Sequence, residues 1–154
     1  MIRVLHIDDE APIRLLSRVN LEWEGGMEVI EAADGRAGLE LAKRERPDVI
    51  LLNVNLPWQD GWQVAKELRK DEETREIPIV FLTARARLEE RLRGFELGAV
   101  DYILKPFNPT ELALSLRGVL ERLERGERDE LRREKISELR ALMGPKQRRT
   151  RLPE

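Results

Sequence analysis

Five short runs of apolar and β-branched residues recur along the chain, each followed by a stretch with helical spacing. The third and fourth runs, in DVILLNV and IPIVFLT, are apolar without alternation, which indicates strands that are covered on both faces. Repeated strand–helix units of this kind predict an α/β fold with a doubly wound, five-stranded parallel sheet. The strands are expected at 3–7, 27–32, 48–54, 77–83 and 101–105, and the helices at 11–24, 35–46, 61–70, 87–97 and from 110 onward.

Polar residues stand where four of these strands end, at the edge where doubly wound sheets bind ligands. Asp8 and Asp9 are adjacent carboxylates, and a hard divalent cation such as Mg²⁺ would relieve their repulsion. Thr83 and Lys105 supply a hydroxyl and an ammonium that suit the oxygens of a phosphoryl group. A carboxylate at the end of the third strand could accept phosphate as an acyl phosphate, but the residue there is Asn53.

These residues, with LLNVNLPWQDG at 51–61, the approach Gly98-Ala99-x-Asp101-Tyr102 and Lys105-Pro106-Phe107, resemble the receiver domain of bacterial two-component response regulators. The resemblance covers residues 1–123 and implies a flavodoxin-like (βα)5 fold that binds Mg²⁺. It assigns Mg²⁺ to Asp8, Asp9 and the backbone carbonyl of Asn55, the switch pair to Thr83 and Lys105, and the state-reporting aromatic to Tyr102.

The acceptor position departs from the family pattern. In the family an Asp takes phosphate from a histidine kinase or phosphotransfer protein, whereas the amide of Asn53 is neutral and a poor nucleophile. We therefore predict that this chain is not phosphorylated there. One explanation is an Asp-to-Asn variant that holds a competent receiver unphosphorylated, which we favour because the other site residues are retained. The alternative is a natural pseudo-receiver acting as a phosphorylation-independent scaffold or dimerisation module.

Composition and spacing argue against other classes of protein. The chain has no cysteine for a disulfide or thiolate metal site, and no apolar run approaches the roughly 20 residues that span a bilayer. It also lacks the pattern of a secretory signal, so we expect a cytoplasmic protein without membrane contact. A Mg²⁺-dependent phosphohydrolase would usually separate its two carboxylates by one residue, and Asp8 and Asp9 are adjacent. We expect no enzyme activity.

Residues 124–154 are predicted to form a charged helical extension with a basic, disordered end over 146–154. Gly126 marks either a weak point in this helix or a break. Three pairs have the favourable i,i+4 spacing: Glu121/Arg125, Glu124/Arg128 and Asp129/Arg133. A short apolar strip needs a partner, which could be the domain itself, a second chain or another protein; it comprises Leu131, Ile136, Leu139, Leu142 and Met143.

The 31 residues after residue 123 are too few for a winged helix or an output enzyme. We therefore expect a stand-alone receiver with no DNA-binding domain. Its output would be contact with a protein target, through the face made by helix 4, strand 5 and helix 5 or through the tail. The sequence also leaves open whether the chain forms a homodimer.

Overall fold

The computed structural model describes residues 1–84 and 87–150. It contains one five-stranded sheet with the order β2-β1-β3-β4-β5, and every neighbouring pair of strands is parallel. The predicted doubly wound fold is therefore confirmed. The strands are β1 (Arg3–Ile7), β2 (Glu28–Ala32), β3 (Val49–Leu52), β4 (Ile79–Thr83) and β5 (Asp101–Leu104). The helices are α1 (Ala11–Val19), α2 (Gly35–Glu45), α3 (Gly61–Lys70), α4 (Leu88–Glu96), α5 (Pro109–Glu124) and α6 (Arg128–Thr150).

The sheet separates two apolar cores, as the unbroken apolar strands predict. Alternate strand residues such as Ile50 and Phe81 face the core shared with α2, α3 and α4. Their neighbours, such as Leu51 and Val80, face the core that α5 helps to form. Because β3 is buried along its whole length, its position in the middle of the sheet is fixed by both cores at once.

The helix starts follow ordinary capping chemistry. Asp34 and Asp60 cap α2 and α3, each accepting a hydrogen bond from the backbone N–H three residues later. Asn108 caps α5 and accepts a hydrogen bond from the backbone N–H of Thr110. The first predicted helix, 11–24, is α-helical only to Val19 and continues as a π-helical segment, Asn20–Glu24, so its length was predicted but its change of pitch was not.

The C-terminal extension folds back onto the domain, which resolves the open question of what its apolar strip contacts. The helical path is interrupted at Gly126, where φ is 76°. The next helix, α6, packs mainly against α4 and to a lesser extent against α5. Leu131, Leu139 and Met143 are only 2–4% exposed and join the two cores. By contrast, Leu142 stays on the outside of the helix.

The break at Gly126 places Glu124 and Arg128 in different helices. None of the three predicted i,i+4 pairs is present as a salt bridge within the residues that the structure describes. Arg122 instead binds Glu127 and Glu134, because the turn at Gly126 brings the start of α6 alongside the end of α5. The helix α6 is described as far as Thr150, with a non-helical residue at Gly144, and residues 151–154 lie outside the described part. The disordered end over 146–154 stays a prediction.

No helix in the described ranges combines the length and the apolar character needed to cross a membrane.

Candidate functional site

The acidic pair lies at the carboxyl end of β1, where the order of the strands reverses between β1 and β3. The backbone N–H of Asp8 donates to the carbonyl of Ala32 (3.0 Å), which continues the pairing of β1 with β2 for one more residue. The side chain of Asp8 is fully buried, while Asp9 is exposed. The pair therefore has one carboxylate inside the domain and one at its surface.

Asn53 follows β3 and is 4% exposed. Its amide nitrogen, Nδ2, donates to the carbonyl of Asn55 (2.9 Å) and to carboxylate oxygens of Asp9 (3.2 Å) and Asp8 (3.4 Å). A primary amide has only two N–H bonds, so these three acceptors share two hydrogens. Three oxygens thus converge on one amide group, and they are the oxygens to which the resemblance assigned Mg²⁺.

Lys105 approaches the same carboxylate from the end of β5. Its Nζ atom lies 2.8 Å from Oδ2 of Asp8 and 2.9 Å from a carboxylate oxygen of Glu10. The Lys105 side chain is only 9% exposed, so this ammonium is fixed by its partners and not mobile in solvent. The backbone N–H of Lys105 donates to the carbonyl of Thr83 (2.8 Å), which ties the ends of β4 and β5 together.

The electrostatic balance at Asp8 favours the ionised carboxylate. Burial alone would raise the pKa of Asp8, but the nearby His6 ring and the Lys105 ammonium, then the backbone N–H of Glu10, outweigh it and hold this pKa below its usual value. Asp8 is therefore a buried anion whose charge is matched mainly by Lys105.

Thr83 and Tyr102 occupy different parts of the site region. Thr83 ends β4 and is fully buried. Tyr102 is almost buried under α4, where its hydroxyl donates to the carbonyl of Glu90 (3.2 Å) and its ring packs against Phe81 and Phe95. Tyr102 therefore lies between the sheet and α4, in an aromatic environment that differs from the charged surroundings of the acidic pair.

The oxygens near Asn53 form a donor set of the kind that Mg²⁺ prefers. Two carboxylates and one backbone carbonyl are hard oxygen ligands, and such sites usually retain waters. No cluster of three or more His, Cys, Asp or Glu side chains suited to a metal occurs within residues 1–84 and 87–150. A cation here would thus depend on the carbonyl of Asn55 as well as on Asp8 and Asp9, and these residues fit it.

Two contacts of the site were not predicted. Glu10 shares the ammonium of Lys105, and the run Asp8-Asp9-Glu10 could have indicated a third acid at this edge. Arg14 donates from Nη1 to the carbonyl of Asp8 (2.6 Å) and binds Glu31, which anchors the loop after β1. A single arginine on the first helix gives no signal in the sequence that would identify this role.

Comparisons with known proteins agree with this geometry. Residues 4–117 match the family model described as the response regulator receiver domain. The chain is 44% identical over 123 residues to the "Probable transcriptional regulator ycf27" of Porphyridium aerugineum, covering 80% of this chain and 50% of that protein. It is 42% identical over 125 residues to the "DNA-binding dual master transcriptional regulator RpaA" of Synechocystis, covering 81% and 52%.

A solved structure gives the same fold. The chemotaxis protein CheY4 of Vibrio cholerae superposes with a TM-score of 0.72 at 37% identity, covering 77% of this chain and 98% of that one. The chain thus spans about half the length of the curated relatives that it matches, whereas the match covers nearly the whole of this solved structure.

These relatives overturn one prediction. From the short tail we expected a stand-alone receiver with no DNA-binding domain and with a protein target as its output. The matching relatives are instead named as transcriptional regulators, one of them as DNA-binding. The prediction failed because it read the output from the length of the tail, which carries no information about how this type of domain is used in its relatives.

The parallel sheet, the acids and lysine at its carboxyl edge, and the match over residues 4–117 lead to one assignment. This chain belongs to the response regulator receiver domain family.

Proposed function

We propose that this chain is a Mg²⁺-dependent phosphoacceptor switch whose acceptor position is blocked by Asn53. The observation that carries the proposal is the position of the Asn53 amide among Asp8, Asp9 and the carbonyl of Asn55. A carboxylate at the same place would stand beside a bound cation and within the field of Lys105. It would then be suited to receive a phosphoryl group, because transfer of this group depends on positioning and charge neutralisation.

The chain's own residues account for the block. The nitrogen of a carboxamide has no nucleophilic lone pair, and its oxygen is neutral, so no stable acyl phosphate forms. The amide also donates to the oxygens that a cation would use, which places hydrogen-bond donors in competition with Mg²⁺. When bound, Mg²⁺ would supply charge neutralisation for the phosphoryl oxygens, and Lys105 would hold Asp8 ionised and in place. We infer from this arrangement that the domain is a switch and not a turnover enzyme.

The test is intact-mass spectrometry after incubation with acetyl phosphate and Mg²⁺. We expect Asn53→Asp to gain one phosphoryl group in a Mg²⁺-dependent way, and the unaltered chain to gain none. Asn108→Asp is a matched control, because it makes the same chemical change at the exposed cap of α5, where the side chain bonds Thr110. A full, Mg²⁺-dependent gain of phosphate by the unaltered chain would refute the block, and failure of Asn53→Asp to gain any would refute the switch.

A phosphorylation-independent scaffold remains the second candidate for the role of the amide. The scaffold and the blocked switch are distinguished by how phosphorylation of the Asn53→Asp form changes its hydrogen exchange. A blocked switch predicts that phosphorylation changes the hydrogen exchange of the segment after β4 and of α4. A scaffold predicts no change in exchange there.

The relatives suggest what the switch would control. We infer that the state of this receiver is transmitted to a DNA-binding unit, as the name of the Synechocystis relative indicates for that protein. A chimera tests the inference: this chain replaces the matching half of that relative, and operator affinity is measured with and without acetyl phosphate. We expect the donor to change affinity only when Asn53→Asp is present. Equal operator affinities of the chimera with and without Asn53→Asp, and with and without acetyl phosphate, would contradict the inference.

A further inference from the structure

A cluster of four arginines lines a cavity of about 230 Å³ at the end of the sheet opposite the acidic pair. Arg69 comes from the last turn of α3 and Arg75 from the segment before β4, while Arg128 and Arg132 come from the first turns of α6. The cavity exists only because α6 folds back on the domain. Two acidic residues, Glu76 and Asp129, and the backbone at Gly98 complete its lining.

The positive charge of this cavity is incompletely matched. Neither Arg69 nor Arg75 forms a salt bridge within the residues that the structure describes. Arg132 donates from Nε to the backbone carbonyl of Phe95 (2.7 Å), a neutral acceptor that leaves the charge of the guanidinium uncompensated. Arg128 donates to the carbonyl of Glu76 (2.6 Å) and lies 3.6 Å from the Glu76 carboxylate, a side chain that is 84% exposed.

Arg128 is partly buried and lies near a second guanidinium group. Burial lowers the pKa of Arg128 and the charge of Arg69 lowers it further, whereas Glu76 and Asp129 act in the opposite direction. An arginine stays protonated in spite of such a shift, so Arg128 keeps its charge beside that of Arg69. An anion in the cavity would offset the repulsion between these two guanidinium groups.

The backbone is shaped to hold one of these side chains. The guanidinium of Arg69 lies against Gly98, whose φ is 100°, and a Cβ atom at this position would sit 2.6 Å from the guanidinium carbon. Any larger residue would therefore displace Arg69 from the cavity as well as strain the backbone. The position of Arg69 is thus set by the fold, although its outer atoms reach solvent.

We propose that this cavity binds a small oxyanion of the inorganic phosphate class, which bridges α3 and the segment before β4 to α6. Guanidinium groups present planar pairs of N–H donors that match phosphate oxygens, and four of them converge here from three elements. No aromatic ring is among the lining residues, so a nucleobase has nothing to stack on. This site is separate from the phosphoacceptor edge, which lies beyond the other end of the strands, and its role would be to hold α6 in place.

The test is a titration of the whole chain with inorganic phosphate at constant ionic strength, in which ¹H–¹⁵N NMR spectra are recorded at each phosphate concentration. We expect saturable shifts of the Gly98 and Asp129 amides, while chloride at matched ionic strength gives none that saturate. The same spectra report the amides of Asn53 and Lys105, so binding at the acidic edge is distinguished from binding at the arginine cavity. Phosphate binding does not depend on whether Asn53→Asp accepts a phosphoryl group, so the two proposals fail independently.

Matched variants identify the ligands. We expect Arg69→Gln and Arg128→Gln each to weaken phosphate binding about tenfold or more, since each removes a charge-assisted contact. Arg36→Gln is the control, because Arg36 is 92% exposed on α2 and has the same charge. Arg75→Gln, which alters an exposed loop residue, keeps the test valid if Arg128→Gln disturbs α6. Absence of saturable shifts, or equal affinity in Arg69→Gln and Arg36→Gln, would overturn the proposal.

Discussion

Asn53 sets the charge of the candidate site. With the amide, the acidic edge holds Asp8, Asp9 and Glu10 against Lys105, and the amide hydrogens compensate part of the remaining negative charge. A hydrogen bond from a neutral donor to a carboxylate is stronger than one between neutral groups, so the amide stabilises the metal-free domain. The same contacts oppose a cation.

Replacing the amide by a carboxylate should therefore destabilise the metal-free fold. We expect Asn53→Asp to lower the free energy of unfolding by about 1 to 3 kcal/mol without Mg²⁺, because the N–H donors of the amide are replaced by a fourth carboxylate beside Asp8, Asp9 and Glu10. Mg²⁺ should restore stability in Asn53→Asp more than in the unaltered chain. Thermal unfolding with and without Mg²⁺ measures both effects, with Asn108→Asp as the control for which no loss is expected, since Asp also caps helices. Tighter Mg²⁺ binding by the unaltered chain would contradict the argument.

Gly61 is the second residue on which the site's geometry depends. It opens α3 and donates to the carbonyl of Val54 (2.7 Å), and a Cβ atom there would meet the backbone oxygen of Asn53 and lie 2.8 Å from Cα of Val54. Backbone atoms cannot rotate away as a side chain can, so the loop that carries Asn53 must shift.

We expect Gly61→Ala to cost about 1 to 3 kcal/mol of stability, in the range of overpacked sites. Gly118→Ala is the matched control: a methyl group on Gly118, which lies within α5, would meet no neighbouring atom within 4 Å, so alanine should stabilise by about 0.5 to 1 kcal/mol. Urea unfolding of the two variants measures the difference. Equal stabilities would show that the loop after β3 is free to move.

Sequence reasoning found the side chains of the site and missed some of their partners, for a physical reason. The strand ends predict where Asp8, Asn53 and Lys105 meet, because parallel strands bring their carboxyl ends to one edge. The hydrogen bond of His6 to Ser17 (2.6 Å) and the role of Arg14 depend on how α1 packs on the sheet. No local pattern records that packing.

Among the elements, α6 shows the same limit. Its apolar strip predicted that α6 packs against a partner, and Gly126 predicted either a weak point or a break in the helix. Only the three-dimensional arrangement identifies α4 as the partner. Once the helix turns back, the residues that are four apart in sequence no longer determine the ion pairs. Lys135 instead approaches Asp101 of β5 (3.6 Å), and Arg132 binds the last turn of α4.

The docking of α6 is tested by two leucines of the same helix. Leu139 is 2% exposed and belongs to the core beside α4, whereas Leu142 is 68% exposed. We expect Leu139→Ala to cost about 2 to 4 kcal/mol and Leu142→Ala less than about 0.5 kcal/mol, measured by urea unfolding. Equal, small effects would mean that α6 is detached from the domain in solution.

At the scale of the whole molecule, a group of ion pairs joins α5 to α6, while the sheet is held mainly by apolar burial. Arg122 of α5 binds both carboxylate oxygens of Glu134 (2.5 and 3.1 Å) and also binds Glu127 (2.9 Å). The hydrogen bond from Arg122 lowers the pKa of Glu134, and those from Arg125 and then Arg122 lower the pKa of Glu127, both from an ordinary value of 4.5. These contacts join the extension to the domain through groups that solvent can reach.

Because the pKa values of Glu127 and Glu134 are lowered in the folded protein, the contribution of their ion pairs to stability changes with pH in a defined direction. The contribution of these pairs is complete above the unfolded pKa near 4.5 and is lost as the pH falls through the lower folded values. We therefore expect acidification from pH 7 to pH 3 to loosen α6 before the strands unfold. ¹H–¹⁵N NMR measures this with the amide of Leu139 for α6 and the amide of Ile50 for the strands. In Glu134→Gln the α6 amides should already be less protected at pH 7 and should change less with pH. A single midpoint shared by the helix and the strands would show instead that α6 is an inseparable part of the folded domain.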